Sequence, residues 1–239
     1  MRTRLRLTPD HIAYVHRDIP DPGPLLLEGF RPAEDADYAA EIERLLAIAP
    51  TPDDIWVFGY GSLIWNPCYP FTEQRTALAH GWHRSFTLGW DFRFRGTTQT
   101  PGLMLAIDRG GQCKGVVHHL APETARQHLD ALIRREMSMV PTAFPGRWIS
   151  VKTEAGPVWA LTFAMDRHSP RYIGGLSPDA TADVLASACG FKGSMAQYLH
   201  ATVLKLEELG IHDRYLWQLQ ALVADRIDAA RAKKGNADA

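Results

Sequence analysis

Two short stretches hold residue types whose spacing could support chemistry. The first is Gly59-Tyr60-Gly61-Ser62, which ends the apolar, strand-prone run Ile55-Trp-Val-Phe58. Glycines closing a strand let backbone N–H groups approach a ligand closely. A row of such groups can hold an anion or a developing oxyanion. A phosphate-loop reading fails because no GK[ST] ending follows. A dinucleotide fingerprint fails because Ile64 stands where its third glycine belongs, and Asn66-Pro67 opposes a helix starting at once. A nucleophile elbow fails because Tyr60 and Ile64, not glycines, flank Ser62 at the required spacing. An ordinary tight turn or bulge is the alternative left open.

The second stretch centres on Glu136. The apolar positions Leu129, Leu132, Ile133 and Val140 predict one face of a helix over about 122–140. At 100° per residue Glu136 falls in the middle of that face, with Arg134 and Arg135 outward on its flanks. A carboxyl taken into apolar surroundings has a raised pKa, which suits it to proton transfer near neutral pH. A structural glutamate paired with an arginine fits the pattern equally well.

Lesser candidates follow. If extended, Asp91-Phe-Arg93-Phe-Arg95-Gly96 puts both arginines on one side, where they could grip a carboxylate or form a solvated strand face. His80 and His83 have a spacing metals use, but no third ligand is evident nearby, and His118 and His119 project to opposite faces of a strand. The seven tryptophans sit mostly in apolar segments and read as core or pocket wall, with no cofactor implied.

The elements that must position these residues are mixed. Residues 1–54 read as an N-terminal extension, a Pro/Gly loop at 20–24 followed by a helix over 32–49. Strands are predicted near 77–88, 103–108, 113–120, 147–154 and 157–164, with hairpin turns at 108–112 and 154–157. The last third reads as helical. Ser177-Pro178 starts one helix and Gly190 closes it, and Ser194 with Gln197 forms a capping box. Gly210 follows the second helix, and Asp213 opens a last one that frays into a polar tail, 231–239. The expected architecture is α+β, a curled sheet or small barrel with flanking helices, its main domain spanning 55–230.

Composition bounds the partner. Among 239 residues, 26 basic side chains balance 27 acidic ones, so the electrostatic footprint of a nucleic-acid binder is missing and a small ligand is expected. Three separated cysteines without a CxxC pair give no structural zinc spacing and fit a reducing compartment. The first 18 residues lack the apolar core of a signal peptide, and no run reaches the ~18 apolar residues of a membrane span. The expectation is a cytoplasmic protein without membrane or nucleic-acid partners.

Trp56-Val-Phe-Gly-Tyr-Gly-Ser-Leu-Ile-Trp65-Asn-Pro67 closely resembles the opening motif of the ChaC-like, glutathione-specific γ-glutamylcyclotransferases. The likeness continues through Gly81-Trp-His-Arg-Ser-Phe86, Arg95-Gly96, Pro101-Gly102, Gly115-Val116, Arg135-Glu136-Met137, Gln197-Tyr198-Leu199 and Leu209-Gly-Ile211-His-Asp213, nearest to the bacterial branch. It implies the γ-glutamylcyclotransferase fold and cleavage of the γ-glutamyl bond of glutathione to 5-oxoproline and Cys-Gly, without metal or organic cofactor. By position it implies Glu136 as the catalytic acid–base. It likewise implies Val57, Phe58, Gly59, Tyr60, Gly61, Ser62 and Leu63, with Arg95 and Tyr198, as substrate-binding residues. Two other readings stay open: a cyclotransferase for other γ-glutamyl amino acids or amines, and a non-catalytic regulatory module that binds γ-glutamyl compounds.

Overall fold

A computed structural model describes residues 4–24 and 27–237. The chain forms two compact units. One comprises the described residues of Met1–Leu25, Phe86–Met104 and Ile173–Ala239, the other those of Leu26–Ser85 and Leu105–Tyr172.

The second unit is built on a barrel. Besides the short β1 (Arg31–Pro32), its strands are β2 (Trp56–Gly59), β3 (Glu73–Asp91, in this unit as far as Ser85), β4 (Gly102–His119, in this unit from Leu105), β5 (Met139–Val140), β6 (Gly146–Thr153) and β7 (Gly156–Phe163). Five of them close in the order β2-β4-β3-β6-β7. β2 lies antiparallel to β4, from Trp56 opposite His119 to Gly59 opposite Val116. It lies parallel to β7, with Val57 opposite Leu161. Strand alternation sorts the side chains. Trp56, Phe58, Ala77, Ile107, Val117, Ile149 and Ala160 form one buried cluster of strand residues, the barrel interior. Val57 and Leu161 face the other way, joining Ile42 and Leu45 of α2 (Asp35–Ala47) and Leu129, Leu132 and Ile133 of α3 (Ala125–Glu136). Trp159 departs from the core reading and is exposed.

Two sequence expectations are corrected here. No hairpin forms at 108–112. β4 runs unbroken through it, bending at Gly110 and Gly111 with φ of 107° and 64°. The Asp108 carboxylate, which a turn would have used, instead accepts from Arg167 Nε at 2.7 Å and Tyr172 OH at 3.0 Å. The helix predicted over 122–140 is a 3₁₀ turn, Pro122–Thr124, and then α3, which stops at Glu136. Val140 precedes Pro141, a position driven out of helical conformation, and pairs in β5 with Arg31 of β1.

In the first unit, α1 (Pro9–Val15), which the sequence pattern left unassigned, is tied to α6 (Arg214–Ala237) by His11 and Asp228 at 3.1 Å. Ser177 caps α4 (Pro178–Ser187) through Ala180 N as expected, but Gly190 does not close that helix. It lies in β8 (Cys189–Gly190), paired with β9 (Gly193–Ser194), where a Cβ would meet the Arg93 carbonyl at 2.6 Å. Ser194 caps α5 (Met195–Glu208) through Gln197 N, and Gly210 takes φ 71° after it. Asp213 accepts from Leu216 N at 3.1 Å at the start of α6. That helix holds through 233–237 instead of fraying there, with Lys234 complementing its dipole, and 238–239 lie outside the described residues. Among the described residues no helix is long and apolar enough to cross a membrane.

Candidate active site

The glycine run of the second unit leaves the barrel as β2 ends and turns into a 3₁₀ turn, Ser62–Ile64. Val57 and Phe58 are fully buried on opposite faces of β2, so neither side chain is presented to a ligand. Tyr60 is also packed away. Its hydroxyl donates to the Phe163 carbonyl at 2.9 Å, and its carbonyl accepts from Arg84 Nε at 2.6 Å. Leu63 packs into the helix-side core. Gly59 is held by contact rather than by special torsion, because a Cβ there would sit 3.3 Å from Leu63 Cβ. The N–H groups of Ser62 and Leu63 stand at the start of the turn, where a helix supplies no internal acceptor. The Ser62 hydroxyl meets α3 through Arg135.

Glu136 is the last residue of α3, and its side chain keeps 16% of its exposure. Burial pushes its carboxyl above the usual range, against the opposing pull of Arg135. Arg135 Nε lies 3.4 Å from Glu136 Oε1. The same guanidinium donates from Nη2 to Ser62 Oγ at 2.8 Å and from Nη1 to the Asn66 carbonyl. Arg135 is therefore turned inward, correcting the outward placement expected from an unbroken helix. Arg134 does face solvent, paired with Asp130 and Asp35. Cys68 and Tyr69 complete the surroundings. Burial raises both their pKa values, and each feels the charges of Glu136 and Arg135. The structure thus brings Glu136 and the end of the glycine run together through Arg135. The sequence signal for Arg135 is its adjacency to Glu136; its acceptors on the distant turn are what periodicity does not report.

Arg95 and Tyr198 are brought together in the first unit. The Arg95 guanidinium lies 5.6 Å from the Tyr198 ring centroid and donates to Gln197 Oε1 at 2.9 Å and to the Ser194 carbonyl at 3.3 Å. Gln197 is thereby diverted from the predicted capping box. Tyr198 is buried on α5, edge-on to Phe86. Burial lowers the Arg95 pKa. Arg93 and Arg95 do not share a strand face. The Asp91 carboxylate accepts from the backbone N–H groups of Arg93, Phe94 and Arg95, which coils the segment. Arg93 then pairs with Asp21 at 2.8 Å. His118 is buried between Tyr69 OH and Gln74, whereas His119 meets Thr72. Among the described residues no group of three or more His, Cys, Asp or Glu is placed to hold a metal ion.

The fold is thus a small closed barrel whose strand-ending glycine run is linked through Arg135 to a shielded carboxyl, Glu136. Residues 55–226 match the family model described as ChaC-like protein, and the chain belongs to that family. It is 39% identical over 176 residues to the glutathione-specific γ-glutamylcyclotransferase of Escherichia coli K12, covering 73% of this chain and 75% of that protein. It is 29% identical over 156 residues to the mouse glutathione-specific γ-glutamylcyclotransferase 1, covering 62% and 67%. A crystal structure of a glutathione-specific γ-glutamyl cyclotransferase from yeast superposes with a TM-score of 0.66 at 22% identity, over 73% of this chain and 97% of that one, and bears out the fold.

Proposed function

We propose that this chain cleaves the γ-glutamyl bond of glutathione by intramolecular cyclisation, releasing 5-oxoproline and Cys-Gly. The observation that carries the reading is a shielded glutamate at the end of α3, joined through Arg135 to the glycine turn, in a chain 39% identical to a relative named for that reaction. The substrate's α-ammonium must lose a proton before its nitrogen can attack the γ-carbonyl carbon. Glu136, ionised but with its basicity raised by burial, removes that proton. The carbonyl becomes tetrahedral, and N–H groups of the Gly59–Leu63 bend stabilise the oxyanion. As the γ C–N bond breaks, Glu136 returns the proton to the departing Cys-Gly nitrogen, and the ring nitrogen gives its second proton to the released amine, which leaves as the ammonium ion. The nucleophile belongs to the substrate, so the route asks nothing of a protein nucleophile, a metal or an organic cofactor. Arg95 and Tyr198 are assigned to substrate binding by their positions in the motif. None of Cys68, Cys113 and Cys189 is held in a disulfide, in keeping with a reducing, cytoplasmic setting.

Mass spectrometry of products with glutathione as sole substrate tests the reading, with γ-glutamyl-alanine as comparator. Glutathione should yield 5-oxoproline and Cys-Gly in equal amounts, and Glu136→Gln should fold and bind but release neither. Faster turnover of γ-glutamyl-alanine would move the specificity elsewhere in the γ-glutamyl class. No turnover of either would leave a binding module.

A further inference from the structure

A concavity lies in the barrel unit, and its lining includes neither Glu136 nor the glycine run. It is an open cleft of about 520 Å³ whose walls include Trp82, Trp148, Glu41, Arg44, Arg109 and Arg147. That volume falls within the range of small-molecule sites. Its charges do not cancel. Glu41 is fully engaged by Arg44, Oε2 with Nε at 2.7 Å and Oε1 with Nη2 at 2.6 Å. Among the described residues neither Arg109 nor Arg147 has a carboxylate partner, so two cations face the cleft uncompensated. The Nε–H of Arg147 is shielded from water and has no acceptor, a condition few native donors are left in. Arg109 is held with its guanidinium 5.5 Å from the Trp82 ring centroid. A guanidinium attracted to a ring face keeps N–H donors that can fork onto an anion. Trp148 is fixed by its own indole N–H, which donates to the Leu45 carbonyl at 2.9 Å.

We infer that this cleft binds a nucleoside monophosphate, its phosphate on Arg109 and Arg147 and its base stacked on an indole. Two cations without counter-charges call for an anion, and two indoles call for a planar ring. The space exceeds what a bare phosphate needs. The inference is independent of the glutathione reading, since none of these residues serves that reaction.

Isothermal titration of the full chain with adenosine 5′-monophosphate, inorganic phosphate and adenosine checks it. Saturable binding of the nucleotide is expected, weakening with added salt. Phosphate and adenosine should each bind far more weakly. Arg147→Met should weaken nucleotide binding by about tenfold or more. Arg109→Gln, at an exposed position that leaves the core intact, should do the same. Saturating glutathione should leave the nucleotide isotherm unchanged, which separates this site from the catalytic one. Absence of saturable binding, equal affinity for bare phosphate, indifference to Arg109→Gln, or displacement by glutathione would each overturn the assignment. So would binding of an acidic peptide such as hexaglutamate where the nucleotide fails to bind.

Discussion

Arg135 holds its guanidinium Nε 3.4 Å from Oε1 of its chain neighbour Glu136, while its Nη2 donates to Ser62 Oγ at 2.8 Å. One side chain thus fixes the carboxyl and the turn relative to each other, and its charge opposes the rise in the Glu136 pKa caused by burial. Replacing Arg135 by Met removes both effects. The loss of charge-assisted hydrogen bonds predicts a fall in kcat/KM of roughly 10- to 100-fold. Without the cation the carboxyl is protonated more readily, so the acid limb of the kcat/KM profile should move to higher pH. Arg135→Lys keeps the charge but loses the fork, and should restore the limb more fully than the rate. A limb unmoved in Arg135→Met would show that the cation does not act on Glu136.

Glu136 also leaves a mark on stability. Its folded pKa lies above the unfolded value because burial disfavours the charged form. Between those two values the folded state binds more protons than the unfolded one, so folding is favoured at low pH and loses stability as pH rises through the folded pKa. Glu136→Gln cannot ionise and escapes that loss. Relative to wild type, the melting temperature of Glu136→Gln should therefore climb as pH increases from 4 to 8, even though the variant is inactive. A constant difference across that range would mean the carboxyl is solvated.

How much of this could be read from residues alone depends on whether a local rule had competition. Ser177, Ser194 and Asp213 cap helices where expected, because each satisfies N–H groups within its own first turn. The barrel strands were legible from their apolar alternation. The helix predicted to reach Val140 was overruled by pairing with Arg31, more than a hundred positions away, which no periodicity reports. Asp108 looked like a turn residue until Arg167 and Tyr172 claimed it. Within the candidate site Glu136 was legible as a carboxyl among apolar neighbours. The inward turn of Arg135 was not, because its acceptors, Ser62 Oγ and the Asn66 carbonyl, lie far back in the chain on the turn after β2.

His118 predicts the opposite pH trend. It is fully buried, stacked on Phe71 with ring centroids 4.2 Å apart, and burial lowers its pKa to about 4. The unfolded imidazole titrates near 6.5, so between these values the unfolded state takes up the extra proton. Stability is then full above pH 6.5 and lost as pH falls toward 4, by about 3 kcal/mol for this group. Urea midpoints at pH 7 and pH 4 should show that loss in the wild type. A His118→Gln protein, weaker at pH 7, should lose correspondingly less. Equal losses in both would exclude His118 as the source.

Gly115 sets the geometry of the glycine run from the neighbouring strand. A Cβ there would lie 2.4 Å from the Gly59 carbonyl oxygen and 2.9 Å from Phe58 Cζ. Neither can yield cheaply, since one is backbone in the β2–β4 ladder and the other a buried ring. Overpacking of this kind typically costs about 1–3 kcal/mol, so Gly115→Ala should lower the urea midpoint accordingly. Because the displaced atom belongs to Gly59, the surviving folded enzyme should also lose kcat more than it gains KM, the signature of transition-state contacts misplaced at the oxyanion. Gly156→Ala provides the contrast. Its φ of 115° strains any side chain, yet a Cβ there meets nothing within 4 Å. That variant should be destabilised by its backbone alone and keep a normal kcat. If Gly115→Ala behaves the same way, the strand contact stabilises the barrel without shaping the turn.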